Sequence, residues 1–201
     1  MAKKKDQRKG VFCLEGPWFG VKDRTSMEPV LRLLETLKGY KVPYLRFDVG
    51  TRDEFDFYLE KWAGASFRET HPILHLAFHG ESGEIAIGEG RHTSVTLDDL
   101  AERLEGRCKG RVIHFCSCGT AAAHGRELKK FLARTQALSV CGYKEDVDWL
   151  ESAAFDMLVL GGLQYASFVQ VSSVEKFDRE LKSTAAGLYR RLGFRMLYRQ
   201  G

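Results

Sequence analysis

The feature that most constrains this chain is an alternation of short, wholly apolar runs with segments of helical spacing. Residues 10–15 read as a buried strand closed by Gly16-Pro17. Residues 27–37 follow as a helix, opened by Ser26, ended by Gly39, with Val30, Leu31, Leu34 and Leu37 on one face. Residues 43–48 form a second strand. Thr51 and Glu54 make a capping box for a helix carrying Phe55, Tyr58, Leu59 and Trp62 on one side. Residues 72–78 are apolar almost throughout, which suits a strand covered on both faces. Residues 84–88 and 91–95 read as a hairpin, and Thr96 with Asp99 caps a helix over 97–104. Strands at 111–116 and 137–142 precede helices at 121–133 and 147–160. Residues 168–171 suggest a strand fragment and 174–186 a helix; residues 193–199 fit either strand or helix. Such alternation predicts an α/β fold: a mainly parallel sheet with helices on both faces and right-handed crossovers. Its working crevice belongs at the carboxyl ends of the strands.

The 201 residues are 44% hydrophobic and 29% charged, enough for one domain with a sizeable core. Residues 10–201 are assigned to that single domain, behind a flexible basic tail over residues 1–9. The net charge of +4 owes much to Lys3, Lys4, Lys5, Arg8 and Lys9 in that tail. A folded basic face is therefore not expected, and nucleic acid is excluded as a partner. Five cysteines, an odd number without paired metal-ligand spacing, indicate a reducing compartment. Glu15, Gly16 and Pro17 interrupt the first apolar run, so it is no signal peptide, and no apolar stretch is long enough to span a bilayer. A cytoplasmic chain with no membrane partner is expected.

Two residues stand just beyond predicted strand ends. His79-Gly80 follows residues 72–78, and Cys118-Gly119 follows residues 111–116. If those strands are parallel neighbours, their ends lie about 5 Å apart. A thiol becomes a nucleophile when a base or cation favours its thiolate, and imidazole suits that task near neutrality. Gly80 lets backbone approach a substrate carbonyl. The N–H groups of Gly80 and Cys118 are the candidate oxyanion donors. The helix at 121–133 would add its positive end to the thiolate. Cys116 is the rival nucleophile; by period-two alternation it faces the same side as Cys118, but inside the strand. His75 and His114 lie within strands and read as structural. His124 is a remote candidate for a third member. A metal held by His114, Cys116 and Cys118 is disfavoured, because ligands along one strand seldom converge and zinc sites prefer Cys-x₂₋₄-Cys spacing. No cofactor or metal is expected.

The His-Gly pair after one apolar strand, and Cys116-Ser117-Cys118-Gly119-Thr120-Ala121 after the next, resemble the caspase-like clan of cysteine peptidases. The likeness is nearest to the bacterial CHAT domains, whose turn reads Ser-Ala-Cys-Glu-Thr-Ala. Cys141-Gly142-Tyr143, then Asp146, Val147, Asp148, Trp149 and Phe155, continue the same plan. The resemblance covers roughly residues 70–165. It implies a three-layer caspase-like fold, an intracellular setting, and hydrolysis of peptide bonds through an acyl-enzyme. Gly119 departs from the usual larger residue. The His79-to-Cys118 separation, 118 − 79 = 39, is shorter than the caspase spacing of about 50. In enzymes of the clan that cleave after basic residues, an acidic group often stands two before the nucleophile; here that position is Cys116. Asp146 or Asp148 would select a basic side chain if they line the pocket, unless they serve only as cap and first-turn carboxylates. Arg24 would instead favour an acidic one. Partners are then a protein or peptide substrate and a possible regulatory protein. The competing functions are a catalytically silent caspase-like interaction module and a nucleotide-binding flavodoxin-like domain. The segment Gly16-Pro17-Trp18-Phe19-Gly20 matches no phosphate-binding fingerprint.

Overall fold

The computed structural model describes residues 8–20, 22–88 and 93–200. Its main sheet has six strands in the order β2-β1-β3-β7-β8-β9. These are β1 (Val11–Glu15), β2 (Tyr44–Asp48), β3 (Ile73–Ala77), β7 (Val112–Cys116), β8 (Ser139–Tyr143) and β9 (Phe194–Tyr198). The first five are parallel; β9 runs antiparallel beside β8 and closes the far edge. A second, three-stranded antiparallel sheet joins β4 (His79–Glu81), β5 (Glu84–Ala86) and β6 (Ser94–Thr96). The expected hairpin therefore has an extra first strand, beginning at His79. Residues 91–92 of its expected second arm lie outside the described residues.

Alternation along each strand divides the core into two layers. Phe12, Leu14, Leu74, Leu76, Ile113 and Phe115 pack toward α2 (Arg52–Ala63), α3 (Leu97–Arg103) and α4 (Gly125–Thr135). Val11, Cys13, Ile73, Ala77, Val112 and Cys116 pack toward α1 (Glu28–Thr36), α5 (Trp149–Gly162) and α6 (Val171–Thr184). This is the three-layer, mostly parallel α/β architecture expected of a caspase-like chain. Strands buried on both faces explain why their sequences read as unbroken apolar runs. The Thr51–Glu54 and Thr96–Asp99 capping boxes both form. Asp148 caps α5, accepting from Glu151 N at 3.0 Å.

Three expectations are corrected. Residues 168–170 are not a strand, and Val171 already opens α6. The helix expected over 121–133 is two pieces: a 3-10 turn (Thr120–Ala122), then α4, which starts only at Gly125. Arg8 and Lys9, assigned to the tail, are tied to the fold. Arg8 donates to Gly39 O at 3.0 Å, and Lys9 N donates to Gln164 Oε1 at 2.9 Å. Residues 1–7 of that tail lie outside the described residues. Among the described residues, no helix is long and apolar enough to cross a membrane.

Candidate active site

Strands β3 and β7 are parallel neighbours in a fixed register: His75 faces His114 and Ala77 faces Cys116. That offset is 39 residues, the same interval that separates His79 from Cys118. The pairing ends there; His79, which opens β4, and Cys118 each lie two residues beyond the last pair. Close packing there is direct. A methyl placed on Gly80 would meet Thr120 Oγ1 at 2.3 Å, Cys118 O at 2.9 Å and Ser117 Cβ at 2.9 Å. Only glycine lets the His79-Gly80 backbone lie against the Cys118 turn. Gly119 holds the turn in a left-handed conformation, φ 65°, where glycine is favoured. The turn is further pinned by Ser117 Oγ with Thr120 Oγ1 at 2.7 Å, and by Thr120 Oγ1 donating to Glu84 O at 3.0 Å.

Cys118 is the one partly exposed thiol of the five; Cys13, Cys108, Cys116 and Cys141 are buried. Because α4 starts at Gly125, behind a cap made by His124, its positive end does not fall on Cys118. The expected dipole assistance is therefore absent, and a partner base matters more. His79 is exposed. Its Nε2 bonds the carbonyl oxygen of Trp18, which fixes Nε2 as the protonated nitrogen and leaves the Nδ1 lone pair as the base. The rings of Trp18 and Phe19 meet the imidazole edge-on, at centroid distances of 5.4 and 5.9 Å.

Sequence reasoning missed what holds Trp18. Glu15, 1% exposed at the end of β1, accepts from Trp18 Nε1 at 2.9 Å, Ser26 Oγ at 2.8 Å and Met27 N at 2.7 Å, and pairs with Arg46. One carboxylate thus ties Trp18, whose carbonyl meets His79, to Ser26 and Met27 ahead of α1. Glu15 within an apolar run was the available signal, since a buried carboxylate needs partners. Beside this loop lies a cleft of about 600 Å³, lined by Glu15, Trp18, Arg24, Arg46, Asp48 and Thr51 among others. Arg24 faces that cleft. Asp146 and Asp148 are exposed beyond β8, Asp148 being engaged as the α5 cap.

Cys116 does not line an open pocket; it is buried on the α5 side of the sheet. There the structure brings His75, Cys116 and Asp156 together, with one ligand atom of each within 4.8 Å of the others. These are the residue types of a thiol-hydrolase triad. His75 and Asp156 are fully buried and Cys116 nearly so. Burial lifts the Cys116 thiol well above its ordinary range and pushes His75 down to about 3. Burial also raises Asp156 to about 7, against the lowering effect of hydrogen bonds from Cys116 and Tyr143. A thiol held in its neutral form away from solvent is a poor nucleophile. His75 and His114 pair Nδ1 to Nδ1 at 2.9 Å within the core.

The fold is similar to that of caspase-1 from Spodoptera frugiperda, with a TM-score of 0.50 over 80% of this chain and 71% of that one, at 14% identity. That likeness is to the caspase-like architecture and does not single out CHAT domains. No curated protein matches the sequence. A protein-family model does match, over residues 8–198, and the chain thereby belongs to DUF6642, a family of unknown function.

Proposed function

We propose that this chain is a cysteine endopeptidase in which His79 and Cys118 form the catalytic dyad. The observation that supports the reading is the packing of Gly80 against the Cys118 turn, just beyond the end of the β3–β7 register, with His79 Nε2 already committed to the Trp18 carbonyl. His79 Nδ1 takes the Cys118 proton, and the thiolate attacks the scissile carbonyl. Gly80 and Cys118 N–H groups hold the oxyanion. The imidazolium returns the proton to the leaving amine, and water then hydrolyses the thioester with His79 again as base. Trp18 O holds the imidazole ring in its tautomer and orientation, one of the tasks the buried carboxylate performs in serine-protease triads. Arg24, Asp146 and Asp148 are the candidates for substrate selection. The likeness to CHAT domains favours a bacterial, cytoplasmic enzyme acting on a protein substrate under a regulatory partner.

The test is labelling with a peptidyl acyloxymethyl ketone and cleavage of a peptide library. Labelling at Cys118 that is lost in His79→Ala, with cleavage lost in Cys118→Ala, supports the dyad. A folded protein that cleaves no library peptide and labels no faster than free cysteine refutes it, and leaves a caspase-like interaction module.

A further inference from the structure

We propose that His75, Cys116 and Asp156 form a buried binding site for one divalent transition-metal ion of the zinc class. The three come from β3, β7 and α5, and their ligand atoms already converge within 4.8 Å. Two of them carry buried polar atoms without hydrogen-bond partners, His75 Nε2 and Asp156 Oδ2. Buried polar groups are ordinarily paired, so two orphans in one cluster call for a common partner.

The surrounding bonds decide which atoms are free. Asp156 Oδ1 accepts from the Tyr143 hydroxyl and lies 3.2 Å from His114 Nε2. The ring geometry is off-line for a hydrogen bond, so this contact is electrostatic. Two lone pairs would repel there unless His114 carries its proton on Nε2. His114 Nδ1 is then an acceptor, and His75 Nδ1–H donates to it across 2.9 Å. His75 Nε2 is left as a bare lone pair. A ligating histidine that donates its other N–H to a neighbour, and a ligating carboxylate whose second oxygen is hydrogen-bonded, are the outer-shell pattern of protein metal sites.

The donor set selects the ion. Thiolate with imidazole excludes magnesium and calcium, which take oxygen ligands, and suits zinc. One thiolate and one carboxylate neutralise a divalent ion, so the filled site has no net charge to bury. Binding releases the Cys116 thiol proton and any proton on Asp156 to solvent. Because the cluster is closed off, the ion enters as the chain folds. The proposal is independent of the dyad at the sheet mouth.

The experiment measures metal by elemental analysis in the full chain as purified, and after refolding with zinc, with cobalt, or with chelator alone. Close to one zinc per chain is expected after refolding with zinc. A sulfur-to-cobalt charge-transfer band is expected after refolding with cobalt. Cys116→Ser and Asp156→Asn should each weaken retention by more than about tenfold, whereas Cys118→Ser keeps the ion. X-ray absorption on the wild-type cobalt form guards against variants that fail to fold; it should report a mixed shell with a single sulfur. Folded wild type that retains no metal, a shell of nitrogen and oxygen only, or loss of the ion in Cys118→Ser overturns the proposal.

Discussion

The sharpest perturbation of the proposed dyad is Gly80→Ala, which touches neither His79 nor Cys118. The new methyl would sit 2.3 Å from Thr120 Oγ1, about 1.1 Å inside ordinary contact at 3.4 Å. Thr120 cannot swing aside freely. It is fully buried, and its hydroxyl is engaged with Ser117 Oγ and Glu84 O. Cys118 O and Ser117 Cβ, each 2.9 Å from the methyl, block the other directions. The strain must be relieved by moving the Cys118 turn away from His79 by something near an ångström. A displacement of that size costs about 100-fold in a reaction that depends on positioning. Overpacking of this kind costs about 1–3 kcal/mol of stability. The fold should survive, because the strain falls outside the six-stranded sheet.

The assay pairs thermal unfolding with the rate of acyloxymethyl-ketone labelling at Cys118 and kcat/KM on a cleaved library peptide. Gly39→Ala is the control, since a methyl there meets nothing within 4 Å. The expected outcome is a labelling rate and kcat/KM lower by about two orders of magnitude in Gly80→Ala, with the control unchanged. Wild-type rates in a folded Gly80→Ala protein would refute the claim that contact between the His79-Gly80 strand and the Cys118 turn positions the dyad.

Three further outcomes follow from the same geometry. Iodoacetamide should modify Cys118 alone in the folded chain. Cys108, for instance, is pushed by burial up to about 12, against an ordinary 9.0, which lowers its thiolate fraction about a thousandfold; peptide mapping that finds another cysteine modified first would contradict this. Glu15→Gln should destabilise the chain by about 1–3 kcal/mol, because Arg46 loses its buried partner and keeps only the exposed Asp48. It should also slow Cys118 labelling by freeing the Trp18 loop, and adding Arg46→Met should restore stability more than labelling; denaturant melts and labelling rates separate the two effects. For pH, His75 has a folded-state pKa near 3 against an unfolded value near 6.5, so its contribution is fully present above about 6.5. It is lost as pH falls toward 3, at about 1.4 kcal/mol per unit. Asp156 works in the opposite sense, favouring the fold at low pH and losing that contribution as pH rises through about 7. In metal-free protein, His75→Gln should flatten the acid limb of stability measured by urea unfolding. An unchanged limb would sink the assignment.

Most of the scaffold was legible because its signals are local. Strands buried on both faces betray themselves as apolar runs, and the Thr51–Glu54 and Thr96–Asp99 boxes announce helix starts. The helix after Cys118 was misread because Gly119 adopts a left-handed turn and His124, an unusual cap residue, performs the capping. Strand β4 was missed because its three residues, His79, Gly80 and Glu81, carry no apolar alternation and are held by pairing to β5. At the site, the positions of His79 and Cys118 just beyond strand ends were legible. The Trp18 carbonyl was not, since a backbone group leaves no mark in a sequence. Nor was the meeting of Cys116 with Asp156, because the latter projects from a helix 40 residues further on.

The register of β3 against β7 ties these observations together. An offset of 39 residues sets His75 beside His114 in the core, and the same interval separates the two members of the proposed dyad. A slip of one residue would turn every side chain of one strand to the opposite face. It would leave a histidine stranded in an apolar layer and part the proposed dyad at once. The buried polar row therefore does more than occupy the core. Leucines in its place would pack against many neighbours equally well, whereas the His75–His114 bond and the approach of Cys116 and Asp156 to them require this one alignment. Buried polar groups that fix alignment at a cost in stability have precedent in coiled coils. In this chain the alignment so fixed is the one on which the proposed dyad depends.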